Sequence, residues 1–393
     1  MTHHSTPTPF TIAIPDAALD DLVRRLRSTR WADDFDNQDW SYGVERDWLM
    51  RMADYWASDF DWRAQEAAMN RYPQFKVLIN DVPVHFMHIR GKGPNPTPIV
   101  LTHGWPWTFW DYRHVLEPLT DPAAHGGDPA CSFDVVIPSL PGFGFSAPLR
   151  SGGFDAARIA VIWDRLMYHV LGYERYGAAG GDVGAAVTGE LAAAFPDHLI
   201  AILLTMPALP GVDPFDVPQD MWAEDERWMR DRTLSMLPKL THVAVHDHIP
   251  QTLAYALNDS PIGLAAWIWQ RRRDWSDCPG DLADYYGKDF LCTLTSIYWL
   301  TNTIGTSMRW YRDWSDGRRR PQAETPPQIT VPTGIVVSPK EVVMMPRKLA
   351  AERCNLQRWS VLDGGGHFAA AERPADVVNE LRALFGELSR RDA

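Results

Sequence analysis

Apolar positions in the first ninety residues recur at helical spacing. Pro15-Asp16 opens a stripe of Leu19, Leu22, Val23 and Leu26, and a second pattern over residues 44–56 puts Trp48, Leu49, Met52 and Tyr55 on one face. Residues 75–88 instead alternate apolar and polar, which predicts paired strands. From Pro98 the chain shows short apolar runs bounded by Gly and Pro, at 99–102, 133–138, 176–179 and 200–206, with helical stretches at 157–171 and 185–195 between them. Strands alternating with helices predict an α/β protein with a mostly parallel, doubly wound sheet. After Pro207 the pattern turns Trp-rich and helical to about Gly317, and strands resume at 329–338 and 358–362. A helical insertion in a βα series reads as a lid over the C-terminal edge of the sheet, where ligands bind in such folds. The expected layout is a helical preface over 1–95, a sheet core over 96–207 and 321–393, and a lid over 208–320.

Composition narrows the function. With 393 residues, 45 % hydrophobic and 22 % charged, the chain can bury a sizeable core and has room for about two structural units. A net charge of −12 disfavours nucleic acid or an anionic membrane surface as partner. Cys131, Cys278, Cys292 and Cys354 are scattered without a C-x-x-C spacing, so neither a disulfide framework nor a zinc site is expected, and a reducing, cytoplasmic setting is the simple reading. Residues 1–15 lack a signal-peptide pattern, His3 and His4 are too few for a metal tract, and no apolar run approaches 18 residues. No metal or cofactor is expected.

Four features carry candidate chemistry, each at the end of a strand. Gly180-Gly181-Asp182-Val183-Gly184 has the glycine flanks of a sharp strand-to-helix turn that thrusts its middle side chain outward. A carboxylate there suits attack on an sp³ carbon, leaving an ester that water can hydrolyse. Asp is also a favoured helix N-cap, and from this turn alone both readings stand. His103-Gly104-Trp105-Pro106 follows the strand at 99–102. Such a turn supplies a backbone N–H to an oxyanion hole, with the second from Val183; Pro106 has no N–H, so Trp105 is the donor candidate. His367, in Gly364-Gly365-Gly366-His367, is placed to act as base, and Glu341, after the strand at 329–338, to orient it. Singly, each has an ordinary structural reading, as loop, core histidine or solvated charge. Their chain order, Asp then Glu then His, is that of the α/β-hydrolases.

The sequence resembles the epoxide hydrolases of the microsomal and juvenile-hormone type, including soluble bacterial relatives. The resemblance runs over nearly the whole chain: residues 25–31 and 59–63 of the preface, His103-Gly104-Trp105-Pro106, residues 138–146, Gly180-Gly181-Asp182, residues 256–266 of the lid, Val331-Pro332-Thr333-Gly334, Glu341 and residues 365–370. It implies the α/β-hydrolase fold, Asp182 as nucleophile, His367 as the base that activates water, Glu341 as its partner, and a small-molecule epoxide as substrate. It also implies two lid tyrosines that hydrogen-bond the epoxide oxygen. One matches Tyr311. The other falls on His242, and a neighbouring family Gln on His246. Two expectations follow for His242: a donor that makes ring opening pH-sensitive, or a bystander facing solvent while Tyr311 acts alone. Other electrophiles, as in a haloalkane dehalogenase, or ligand binding without turnover are the alternative functions. Eight lid tryptophans (Trp222, Trp228, Trp267, Trp269, Trp275, Trp299, Trp310, Trp314) read mostly as lid core, with some lining a pocket for a bulky or aromatic epoxide. Antibiotic biosynthesis and detoxification are the roles such relatives suggest, and a homodimer is an open option.

Overall fold

The change from helical to alternating spacing marks where the chain enters its sheet. This computed structural model describes residues 5–319 and 327–391; His3, His4 and the expected lid–core boundary at 320–321 lie outside them. A two-residue strand, β1 (Thr8–Pro9), is followed by helices α1 (Asp16–Arg27), α2 (Arg46–Ser58) and α3 (Trp62–Asn70). The apolar stripes bury Leu22 and Leu26 on α1, and Trp48, Leu49, Met52, Ala53 and Trp56 on α2. Helix α3 escaped the periodicity reading because nine residues show too little of a stripe. Its start is legible in hindsight, since the Asp61 carboxylate accepts the Ala64 N–H.

Strands β2 (Gln74–Ile79) and β3 (Val82–Ile89) pair antiparallel across Asn80 and Asp81, which both have positive φ as a two-residue hairpin turn requires. The core strands are β4 (Thr97–Thr102), β5 (Phe133–Pro138), β6 (Tyr176–Gly180), β7 (Leu199–Leu204), β8 (Ile329–Val337) and β9 (Cys354–Val361). Among the described residues they form one sheet in the order β1-β2-β3-β5-β4-β6-β7-β8-β9. Pairing is parallel from β5 to β9, and antiparallel from β1 through β3 to β5. The preface hairpin is therefore the antiparallel edge of the core sheet. Every residue of β5 is buried, Asp134 included, as in a strand covered on both faces. Helix α4 (Ala156–Asp164) precedes β6, and α5 (Val183–Ala194) links β6 to β7.

The chain leaves the sheet after β7. Residues 207–226 are not helical as expected but irregular, with short single turns, because Pro207, Pro210, Pro214 and Pro218 interrupt any longer helix. The helices between β7 and β8 include α6 (Arg227–Met236), α7 (Thr241–His248), α8 (Pro250–Asp259), α9 (Pro261–Trp275), α10 (Lys288–Leu300) and α11 (Ile304–Arg319). Strands β8 and β9 follow, then α12 (Pro374–Arg391). The preface helices hold the segment between β7 and β8: Trp48 donates to Asp281, the Tyr55 hydroxyl to Asp289 at 2.7 Å, and the Trp56 indole to Ser296 at 3.0 Å. Arg272 of α9 forms a buried ion pair with Asp111 of the core. Among the described residues no helix is long and apolar enough to cross a membrane.

Candidate active site

Asp182 stands between β6 and α5 with φ 54° and ψ −125°, a conformation that L residues avoid and that costs energy to hold. The turn can be that sharp because Gly184 passes against β4, where an added Cβ would lie 2.0 Å from the Thr102 carbonyl oxygen. Asp182 occupies the N-cap position of α5, yet among the described residues its side chain accepts no N–H from that helix. The capping reading fails. Its Oδ1 instead accepts the Trp105 N–H at 2.7 Å, which places the expected donor loop beside Asp182. Val183 opens α5, so its N–H is among the first-turn donors a helix leaves without an intrahelical partner. Gly104 lets the carboxylate approach, since a Cβ there would lie 2.4 Å from Asp182 Oδ1.

His103, in the loop expected to line an oxyanion hole, makes hydrogen bonds within the protein. Its Nε2 accepts the Leu140 N–H at 3.1 Å, so Nδ1 carries the proton toward the Gly104 carbonyl at 3.0 Å. Burial pushes its pKa down to about 4, leaving a neutral ring that ties the Trp105 loop to the loop after β5.

The structure brings His367 and Glu341 beside Asp182. His367 Nδ1 lies 2.6 Å from Glu341 Oε1, and Nε2 lies 3.5 Å from Asp182 Oδ2. Glu341 has no exposed side-chain surface, so it is no solvated charge, and its Oε1 also accepts the Val342 N–H at 2.6 Å. Burial alone would depress the His367 pKa. The Glu341 carboxylate, and Asp182 with it, outweigh burial and push it up to about 10, so the ring is protonated between two carboxylates at neutral pH.

Residues that sequence reasoning missed position this histidine. Glu372 accepts the N–H groups of Asp277 and Gly366 on one oxygen and of Phe368 on the other, at 2.8–3.0 Å, and the His367 N–H donates to the Trp275 carbonyl at 2.8 Å. Arg232 of α6 donates to the carbonyls of Lys340 and Glu341. The segment between β7 and β8 thus holds the loops that carry Glu341 and His367. Glu372 meets Gly366 and Phe368 locally, but no spacing rule finds the contacts to Asp277 and from Arg232, whose partners lie 95 and 109 residues away.

Across the site stand Tyr311, His242 and His246, all buried, with Trp105 and Trp275. His242 is 1 % exposed, which removes the solvent-facing reading. Burial, with His246, Arg271 and His367 nearby, pushes its pKa well below 6.5, which favours the neutral ring. Among the lid tryptophans, Trp222, Trp269, Trp275 and Trp310 are buried and Trp228 is exposed; Trp275 alone of these packs against His367, with ring centroids 5.2 Å apart. A groove of about 760 Å³ lies elsewhere, between α1, residues 28–46 and the start of α9, and takes no part in this chemistry.

Two family models match the chain: "Epoxide hydrolase N terminus" over residues 7–112 and "alpha/beta hydrolase fold" over residues 97–374. A protein of Stigmatella aurantiaca (strain DW4/3-1), named as a candidate epoxide hydrolase, is 39 % identical over 97 % of this chain and 85 % of its own. The chain belongs to the epoxide hydrolase family. Its fold agrees with the solved Aspergillus niger epoxide hydrolase (TM-score 0.85, 30 % identity, 98 % of this chain and 97 % of that one). It agrees equally with the juvenile hormone epoxide hydrolase of the silkworm Bombyx mori (TM-score 0.85, 27 % identity, 100 % and 96 %).

Proposed function

We propose that this epoxide hydrolase family member opens an epoxide to a vicinal diol through an ester on Asp182. The observation that carries the reading is the carboxylate itself: strained, turned away from its helix, with Oδ1 on the Trp105 N–H and Oδ2 facing His367. In the first step an Asp182 oxygen attacks an epoxide carbon, the ring C–O bond breaks, and Tyr311 gives its proton to the departing oxygen. Tyr311 is near enough for the Asp182 charge to raise its pKa further, after burial has raised it most.

Esterification removes one of the two charges that keep His367 protonated. The imidazolium then returns a proton to the Tyr311 phenolate and becomes a neutral base, oriented by Glu341. It takes a proton from water, and the hydroxide adds to the ester carbonyl while the N–H groups of Trp105 and Val183 hold the oxyanion. Collapse passes the remaining hydroxyl proton to the diol oxygen, restoring the Asp182 carboxylate and the His367 imidazolium. Protons balance over the cycle, with one water consumed.

The aromatic walls of Trp105, Trp275 and Tyr311 support a bulky or aromatic epoxide, from a biosynthetic intermediate or a detoxified compound. Residues 208–320 would act as the lid over it. The free cysteines suit a reducing cytoplasm, and assembly as a homodimer is part of the proposal for sedimentation to test. The mechanism is tested with His367→Gln, in which the peptide carrying Asp182 should gain the mass of the epoxide. Single turnover in ¹⁸O-water should label the carboxylate before the diol; label entering the diol directly would exclude the ester.

A further inference from the structure

His242 and Tyr311 touch. His242 Nε2 lies 3.1 Å from the Tyr311 hydroxyl oxygen. The imidazole is stacked on Trp105 (centroids 5.1 Å apart, planes 11° from parallel), with Trp275 at 4.9 Å and the Tyr311 ring edge-on at 5.1 Å. Rings on several sides hold it in one orientation. The hydrogen bond can run either way, and its direction decides what Tyr311 can do.

With the ring proton on Nδ1, Nε2 would accept the phenol proton. Tyr311 O–H would then point at His242 with nothing to offer a substrate, and a buried Nδ1–H would be left without an acceptor. With the proton on Nε2, the ring donates to the phenol oxygen, the O–H is free to point elsewhere, and only a ring lone pair is left unpaired at Nδ1. Orphaned buried N–H groups are rarer in folded proteins than under-satisfied acceptors, which favours this second arrangement. A protonated ring, which would donate from both nitrogens, is opposed by burial and by the positive neighbours Arg271 and His367. His246 does not compete: its Nε2 accepts the Trp267 indole N–H at 3.1 Å.

We infer that His242 is a positioning residue for Tyr311: its Nε2–H donates to the phenol oxygen and turns the phenol O–H toward the epoxide oxygen. This rests on Tyr311 being the acid in the reading above. In place of two acids side by side, the site holds one acid with a donor behind it. As the ring C–O bond breaks and Tyr311 yields its proton, the phenol oxygen gains charge and the bond from Nε2–H becomes charge-assisted in a dry setting. His242 itself keeps its proton. The bond strengthens only as the epoxide opens, so its effect belongs to the rate of ester formation rather than to substrate binding.

The test is a double-mutant cycle read as the single-turnover rate of ester formation with styrene oxide. His242→Phe is expected to slow ester formation about 10- to 100-fold with KM changed less than about 3-fold, and His242→Gln, which returns an N–H at similar reach, to recover part of the loss. On a Tyr311→Phe background, His242→Phe should cost nothing further. An equal loss on both backgrounds would show an independent substrate donor and overturn the inference, as would an unchanged rate for His242→Phe. Should the variants fold poorly, ¹⁵N spectra of the wild-type histidines read the tautomer directly, and a proton resident on Nδ1 of His242 overturns it. Absence of any ester on Asp182 is a separate result that defeats the mechanism itself.

Discussion

Arg272 of the lid and Asp111 of the core are paired with no exposed side-chain surface on either partner. Arg272 also lies 3.8 Å over the ring of Phe368, the neighbour of His367, and Asp111 accepts the Thr108 N–H at 2.8 Å. One ion pair thus joins α9, the loop that carries Trp105 and the loop that carries His367. Removing one partner of such a pair strands the other charge. Arg272→Met should lower the unfolding free energy by about 3–5 kcal/mol in urea titration. Adding Asp111→Asn should recover part of that. A loss below about 1 kcal/mol for the single change would mean that the pair contributes little.

Gly104→Ala places a methyl group 2.4 Å from Asp182 Oδ1, the oxygen held by the Trp105 N–H. The loop at Gly104 and the carboxylate cannot both keep their positions. Ester formation should fall by at least about 100-fold, as expected when a reacting group is displaced by an ångström. Circular dichroism should show an intact fold. A variant with wild-type rates would place the nucleophile elsewhere.

The His367 proton is held by two carboxylates, so Asp182→Ala should lower its pKa from about 10, seen as an earlier titration of its NMR signals. The same shift makes a stability prediction. A folded-state pKa of about 10 against an ordinary 6.5 means the folded protein keeps a proton the unfolded chain releases. That stabilisation is complete below pH 6.5 and is lost as pH rises to about 10. Urea midpoints measured across this window should decline in the wild type and decline less in Asp182→Ala.

Glu372 touches no reacting atom in the proposed cycle, yet its carboxylate gathers N–H groups from both sides of His367 and from the lid. Glu372→Ala should reduce kcat about 10- to 100-fold with KM little changed, because His367 loses its position rather than its chemistry. Equal kcat in variant and wild type would leave Glu372 a purely structural role.

The repeating patterns were legible in the sequence wherever one element faces one layer. The stripes of α1 and α2 reflect a single burial direction, which periodicity encodes, and the apolar runs of strands such as β5 and β7 reflect burial on both faces. Pro207, Pro210, Pro214 and Pro218 mark the irregular segment after β7, although helical spacing begins close behind them. Chain order predicts that Asp182, Glu341 and His367 come together, because each follows a strand and a parallel sheet gathers those strand ends.

Alone, the residues around Asp182 determined that a carboxylate stands on a glycine-flanked turn and that a histidine stands where relatives have a tyrosine. Whether that carboxylate capped its helix or faced the site depended on a backbone pair of angles and on the Trp105 N–H. Whether His242 met solvent, substrate or Tyr311 depended on rings drawn from residues 105, 275 and 311. Those outcomes belong to the tertiary structure, since direction, burial and tautomer are set by neighbours distant in the chain, and no local spacing records them.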